Sequence, residues 1–271
     1  MGKMRLDVLL VERNLIETRE KAKRVVMAGL VFTNEVRLDK PGMKVDENVP
    51  ITIKKKLRYV GRGGLKLEKA LNQFNIPIKN KKMVDVGSST GGFTDCGLQN
   101  GIRLSYAIDV GYNQLDWKLR NDPRVITMER TNFRYVTDEH FQKGTPDFAT
   151  VDVSFISLKL ILPVLKKIIA TNSDIIVLIK PQFEAGREQV GKRGIVRDKK
   201  VHSQVVKGII DFAEKEQYDL YGITHSPITG GEGNIEFLAH FGWQKEKRGI
   251  SLSEIEIEQL ITQAQVELQP F

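Results

Sequence analysis

Cysteine is almost missing from this chain of 271 residues. Cys96 stands alone, so no disulfide can close within the chain and no cysteine-rich metal cluster can form. Long apolar runs are missing too. None approaches the ~18 residues that a membrane-crossing helix needs. The opening stretch, MGKMRLDVLLVERN, returns to charge before an apolar core can develop, which argues against a signal peptide. Internal repeats and low-complexity segments are also lacking. A cytoplasmic location is therefore the expectation, and neither a membrane nor a metal is an expected partner. Positive charge, by contrast, is in excess: the formal net charge is +8 and the sequence pI about 9.4. Lys and Arg that neutralise phosphates release counterions, so a basic balance favours a polyanionic partner. Taken alone it fits a solvated basic surface as well.

The chain reads as two parts. In the first, Leu6, Leu9 and Leu10 recur at helical spacing. Thr18 is placed to cap a second helix over 19–28, which Gly29 stops. Short strands follow around 30–33 and 51–53. Fifty residues of this kind hold too little core for a catalytic site of their own. We assign 1–57 to this module, 58–64 to a basic, glycine-rich linker, and 65–271 to a second domain. There the pattern changes. Apolar runs at 83–86, 104–108, 125–127, 148–151 and 175–179 alternate with helical stretches such as 114–120 and 158–169. That is the rhythm of a parallel sheet covered on both faces. A long helix over 198–216, strands at 218–224 and 236–241, and a last helix that Ser251 can cap with Glu254 complete an α/β fold with a seven-stranded, mostly parallel sheet.

The most informative motif runs from Met83 to Phe93. A strand ends at Asp85, and the loop Gly87, Ser88, Ser89, Thr90, Gly91, Gly92, Phe93 opens a helix. Small residues let a ligand approach the backbone at the carboxyl edge of the sheet. Asp85 can hold a polar or cationic ligand group there. The next strand ends at Asp109, placed to accept hydrogen bonds from ribose hydroxyls, and Asn132, past the third strand, borders the expected adenine position. The loop does not fit G-x-G-x-x-G, and an acid precedes its first glycine. A carboxylate there repels a pyrophosphate but suits a sulfonium amino acid. The expected cofactor is therefore S-adenosylmethionine and the fold a Rossmann-like class I methyltransferase.

The fourth strand leads into Asp152 and the fifth into Lys180, both on the cofactor edge. Among buried strands these charges are costly unless paired or functional, and a structural ion pair stays open as an explanation. The Asn/Asp-Pro-Pro-aromatic sequence typical of amino-group methylation is absent. Methylation at pyrimidine C5 needs an attacking cysteine, and Cys96, in the helix after the cofactor loop, reads as a buried small residue instead. Direct transfer to oxygen remains, with a lysine able to assist a poorly nucleophilic ribose hydroxyl.

The ordered motifs resemble a known family. Arg5-Leu6-Asp7 and the 19–33 segment resemble the S4 RNA-binding domain. The 85–93 loop with Asp152 and Lys180 resembles the FtsJ-like 2′-O-methyltransferases. Adding the segments 62–67 (RGGLKL) and 233–237 (GNIEF), the whole is similar to the TlyA family, whose members carry two descriptions, haemolysin and ribosomal RNA cytidine-2′-O-methyltransferase. The resemblance implies a catalytic tetrad of Lys66, Asp152, Lys180 and Glu236. Without it, Lys66 reads as a linker charge and Glu236 as an exposed strand acid. It implies a ribosomal RNA or ribosomal-subunit partner, gripped by Arg5, Arg19, Lys23 and Arg24 in the S4 module, with Arg62, Lys192, Arg193 and Arg197 adding contacts near the site. It also raises a membrane-active haemolysin as a rival, disfavoured by the acidic C-terminal segment (Glu254, Glu256, Glu258, Glu267). A non-catalytic S4-type RNA-binding protein is the other rival.

Overall fold

The computed structural model describes residues 2–27, 29–34, 36–53, 58–230, 233–246 and 248–268; the side chain of Arg24 lies outside the described part, as do residues 54–57. The chain divides into two compact units, Met1–Arg58 and Tyr59–Phe271. Among the described residues no helix is long and apolar enough to cross a membrane.

The first unit contains β1 (Lys3–Arg5), α1 (Leu6–Glu12), α2 (Arg19–Met27), β2 (Val31–Thr33), β3 (Val36–Arg37), β4 (Lys44–Asp46) and β5 (Thr52–Ile53). Leu6, Leu9 and Leu10 of α1 pack on Ala22 and Val26 of α2 and on Val31. Thr18 caps α2 through a hydrogen bond from the Lys21 amide, 3.3 Å.

The second unit begins earlier than the sequence suggests. Residues 59–64, expected to be linker, belong to it. Tyr59 is 2% exposed and part of the core, and α3 (Gly63–Phe74) opens inside the glycine-rich stretch. Gly64 has no side chain for a physical reason: a Cβ there would stand 2.3 Å from the Tyr59 ring. The elements that follow are β6 (Lys82–Val86), α4 (Gly92–Gln99), β7 (Leu104–Ile108), α5 (Trp117–Arg120), β8 (Val125–Met128), β9 (Phe148–Val151), α6 (Leu162–Ile168), β10 (Ser173–Ile179), α7 (Pro181–Glu184), α8 (Lys199–Lys215), β11 (Tyr218–His225), β12 (Phe237–Trp243) and α9 (Glu254–Leu268).

The sheet order is β11-β12-β10-β9-β6-β7-β8. β12 runs antiparallel to both of its neighbours, and the remaining pairings are parallel. Strand order reverses between β6 and β9, which opens a crevice at their carboxyl ends. Alternation along β6 sends Val84 and Val86 to the layer of α6 and α8, and Met83 to the layer of α3 and α4, where Cys96 is buried as its position implied. All seven residues of β10 are buried, so this strand reads as one apolar run rather than an alternation.

Helix boundaries depart from the sequence reading where local chemistry overrides periodicity. The stretch 158–169 breaks into a 3-10 turn (Leu158–Leu160) and α6, because Pro163 has no amide hydrogen to continue a helix and instead sits in its first turn. The helix expected over 114–120 shrinks to α5, whose start is set by the Asp116 carboxylate accepting from the Lys118 amide at 2.8 Å. α9 is capped by Ser253 with Glu256, not by Ser251 with Glu254. Both spacings fit a capping box, and the Glu254 carboxylate is engaged by Lys207 instead.

Candidate active site

The loop after β6 is shaped by two demands on its backbone. Gly87 has φ +82°, and a Cβ on it would lie 2.4 Å from the Asp152 carbonyl oxygen, so the β6 and β9 loops approach each other at a distance only glycine permits. Asp109, at the end of β7, then ties down the loop. Its carboxylate accepts from the Ser89 amide at 2.8 Å and from the Gly111 amide at 2.7 Å.

Two clefts meet at this loop. One, of about 330 Å³, is lined by Asp109, Gln114, Asn132, Phe133 and Phe155, together with Gly87, Ser89 and Asp152. The other, of about 230 Å³, shares Gly87, Ser89 and Asp152 and adds Arg62, Lys66, Ser88, Thr90, Gly92, Phe93, Lys180 and Glu236. Most of the loop residues singled out from the sequence thus border one cleft or both, and Asp109 and Asn132 stand together in the larger one.

Asp85 and Gly91 do not line either cleft. Gly91 turns its back on the cleft, and a Cβ on it would strike Leu119 at 2.2 Å. Asp85 falls on the face of β6 that α4 covers and is fully buried. It accepts hydrogen bonds from the Thr94 hydroxyl (2.7 Å), the Thr94 amide (3.1 Å) and the Thr150 hydroxyl (2.8 Å). The carboxylate therefore staples the first turn of α4 to β6 and β9, with no direct reach to a ligand.

Burial pushes the Asp85 carboxyl up to about 6, against the hydrogen bonds from Thr94 and Thr150 that favour its ionised form. A carboxyl raised in the folded state contributes stability that is complete below its unfolded value and lost as pH rises through about 6. Replacing Asp85 by Asn removes that titration. Between pH 4 and pH 7.5 the stability of Asp85→Asn should gain about 2–3 kcal/mol relative to the parent. Urea unfolding of both proteins at the two pH values measures this, and parallel pH curves would contradict it.

The smaller cleft gathers the charged residues. Lys180 follows β10, and its ammonium nitrogen is 2.5 Å from Asp152 Oδ1, in a charge contact that lacks hydrogen-bond alignment. The same ammonium donates a hydrogen bond to Ser154 Oγ, 3.1 Å away. Lys66, on the second turn of α3, donates to Glu236 Oε2 at 2.6 Å. Neither reading of these two from residue type alone survives. Lys66 is a helix residue 8% exposed, and Glu236, just before β12, is 2% exposed. The four groups expected to act together line one cleft as two ion pairs.

Aromatic residues at the rim escaped the sequence reading. Phe155, three residues after Asp152, is 91% exposed with φ +63°. Its ring lies 4.9 Å from that of Phe183, which in turn is 5.8 Å from the Lys180 ammonium. A phenylalanine held in left-handed backbone and turned to solvent at a cleft mouth is a costly arrangement. Nothing in a single sequence separates such a ring from a core one.

In the first unit, Asp7 is fully buried and takes Arg5 Nε at 2.9 Å and Arg19 Nε at 3.0 Å. The hydrogen bond from Arg5 leads the effects that hold this carboxyl down to about 2. Arg5 and Arg19 are therefore oriented by the fold, each with about half its side chain exposed, and Lys23 pairs with Glu20 at 2.8 Å. Lys192, Arg193 and Arg197 are exposed in the second unit, on the segment between α7 and α8.

Residues 59–243 match the family model described as FtsJ-like methyltransferase, and residues 4–51 match that of the S4 domain. The chain is 63% identical over 264 residues to YqxC of Bacillus subtilis, described as a candidate rRNA methyltransferase, with 97% of this chain and 94% of that protein covered. It is 37% identical over 262 residues to the 16S/23S rRNA (cytidine-2′-O)-methyltransferase TlyA of Mycobacterium tuberculosis, covering 96% of each. A solved structure described as a candidate hemolysin of Streptococcus thermophilus shares 50% identity at a TM-score of 0.77, covering 100% of this chain and 98% of that one.

Proposed function

Because the chain belongs to the FtsJ-like methyltransferase family and carries an S4 domain, we propose that it methylates a ribose 2′-hydroxyl of ribosomal RNA, on cytidine, with S-adenosylmethionine as donor. The observation that carries this reading is the pairing of Lys180 with Asp152 and of Lys66 with Glu236 in one cleft that opens on the glycine loop.

The residues present fit the donor. Gly87 lets the β6 loop close against Asp152, which brings that residue to the edge of both clefts, and the larger cleft offers the Asp109 carboxylate for ribose hydroxyls and Asn132 beside it for a purine. When bound, the donor supplies an electrophilic methyl group. The chain's own task is to present the acceptor. Lys180, held by Asp152 and Ser154, would meet the 2′-oxygen; the Asp152 carboxylate would take one ammonium proton, and the amine so freed would accept the hydroxyl proton as the methyl carbon exchanged its bond to the donor sulfur for one to oxygen. Lys66, fixed by Glu236, orients the ribose within the same cleft. Phe155 and Phe183 offer rings on which an unstacked base can rest, the usual way a protein reaches one nucleotide of structured RNA. Arg5, Arg19 and Lys23 in the S4 module, with Arg62, Lys192, Arg193 and Arg197, supply phosphate contacts. A ribosomal substrate places the enzyme in the cytoplasm.

Incubation with methyl-labelled S-adenosylmethionine and separate small- and large-subunit RNA, followed by mapping of modified positions, tests the whole. Label on the 2′-oxygen of a cytidine is expected. Label on a base, or no RNA label at all, would remove the assignment.

A further inference from the structure

Among the motifs singled out in the sequence, residues 233–237 (GNIEF) are explained by Glu236 only in part. Asn234 is 2% exposed, and its side chain faces away from the clefts. Its Oδ1 accepts from the Val196 amide at 3.0 Å, and its Nδ2 donates to the Gly194 carbonyl at 2.9 Å. One amide group thus bridges the segment after α7, about forty residues earlier in the chain, to the β11–β12 connection. Within that connection the Asn234 carbonyl accepts from the Gly230 amide at 2.8 Å, and the Glu236 carbonyl from the Ser226 amide at 2.8 Å. Gly230 in turn abuts the Glu236 carboxylate so closely that a Cβ would lie 2.1 Å from Oε1.

The segment that Asn234 grips is the basic one. Lys192 and Arg193 form a 3-10 turn with Gly194, the very residue whose carbonyl Asn234 holds, and Arg193 sits at φ +63°, a left-handed conformation that costs a non-glycine residue free energy. Both side chains are exposed. Asparagine is suited to this bridge because it presents one acceptor and one donor to one N–H and one C=O. An aspartate would set a carboxylate against the Gly194 carbonyl.

We propose that Asn234 is a positioning residue that couples the Lys192–Arg193 turn to Glu236, so that an RNA phosphate backbone seated on the turn sets the Lys66–Glu236 pair for methyl transfer. This rests on the reading of that pair as part of the methylation machinery. RNA backbone contact made by the turn then acts on turnover as well as on affinity, because the turn is hydrogen-bonded through Asn234 to the connection that packs Gly230 against the Glu236 carboxylate.

The experiment is a double-mutant cycle on the full chain, with methylation of ribosomal RNA as readout. Lys192→Ala plus Arg193→Ala in the parent should raise KM for RNA and lower kcat by roughly 2–30-fold, the range coupling residues reach. Asn234→Ala alone should lower kcat by a similar factor with donor affinity unchanged. Combined, they should keep the KM effect while the loss in kcat is no larger than that of Asn234→Ala alone. Should Asn234→Ala not fold, Asn234→Asp, which keeps the bond from Val196, takes its place in the cycle. Multiplicative losses in kcat, or an unaltered kcat in the Asn234 variant, overturn the coupling. Glu236→Gln separates this from failure of the underlying reading: an active Glu236→Gln enzyme defeats the tetrad itself, whereas an inactive one alongside multiplicative losses defeats only the latch.

Discussion

Replacing Lys180 by Ala should lower kcat for methyl transfer by about 10²–10⁴-fold, the usual reach of a positioned proton-transfer group, with donor binding left intact. The two halves of this expectation come from different walls of the site. The donor contacts proposed above lie along Gly87, Ser89, Asp109 and Asn132, and Asp109 ties this loop down through the Ser89 and Gly111 amides without the lysine. The acceptor side depends on it directly, since Lys180 is the ammonium that faces both Asp152 and Ser154. Lys180→Arg should be nearly as inactive. A guanidinium keeps the charge but is planar, larger and unable to exchange a proton near neutral pH. Calorimetric titration with the donor and single-turnover assays on RNA measure the two properties separately. Unchanged turnover in Lys180→Ala would falsify the proposed role.

A second large effect is expected far from the chemistry. Asp174, near the start of β10, is 4% exposed and meets Lys81 at 2.8 Å, His240 at 2.8 Å and Lys245 at 2.5 Å. Burial alone would push its carboxyl up. The hydrogen bonds from His240, Lys245 and Lys81 together outweigh burial and hold it well below the usual carboxylate range. Asp174→Ala strands cations that were desolvated in its company, a loss of about 3–5 kcal/mol. For a unit of this size that corresponds to a fall in melting temperature of about 6–20 °C, readable by scanning calorimetry. Methylation per folded molecule should persist at low temperature, because Asp174 and Lys180 occupy opposite ends of β10. The sign of the pH dependence also follows. A depressed carboxyl lends stability above its unfolded value and loses it as pH falls, so the gap between parent and Asp174→Ala should narrow in acid. A change below ~1 kcal/mol near pH 7 would mean the cluster is no hub.

The sheet was legible before any coordinates because its strands are apolar runs: 104–108 and 148–151 reappear unchanged as β7 and β9. Asp109, Asp152 and Lys180 were legible for a related reason, since a polar residue just past a buried strand has only the sheet edge to occupy. The same logic misplaced Asp85. It lies one residue inside its strand, where alternation rather than the edge decides which way it points, and α4 covers that side. Lys66 and Glu236 are 170 positions apart, and neither has a local pattern that reports burial. Only the resemblance to a family joined them. Phe155 lay beyond reach because its exposure comes from a left-handed backbone residue at a loop, which composition and period do not record.

The order of strands has a bearing on how the protein is made. Among the described residues β11 has no sheet neighbour except β12, which is inserted between it and β10. As synthesis proceeds from the N-terminus, the donor cleft's Asp109, Asn132 and Asp152 emerge long before the segment from 236 to 243 that supplies both the last acid and the strand closing the sheet. A growing chain therefore holds β11 unpaired until residues 237–243 appear. Until residue 236 has been made, Lys66 stands without the carboxylate that it meets in the folded chain, so under the proposed mechanism the acceptor side of the site is assembled after the donor side.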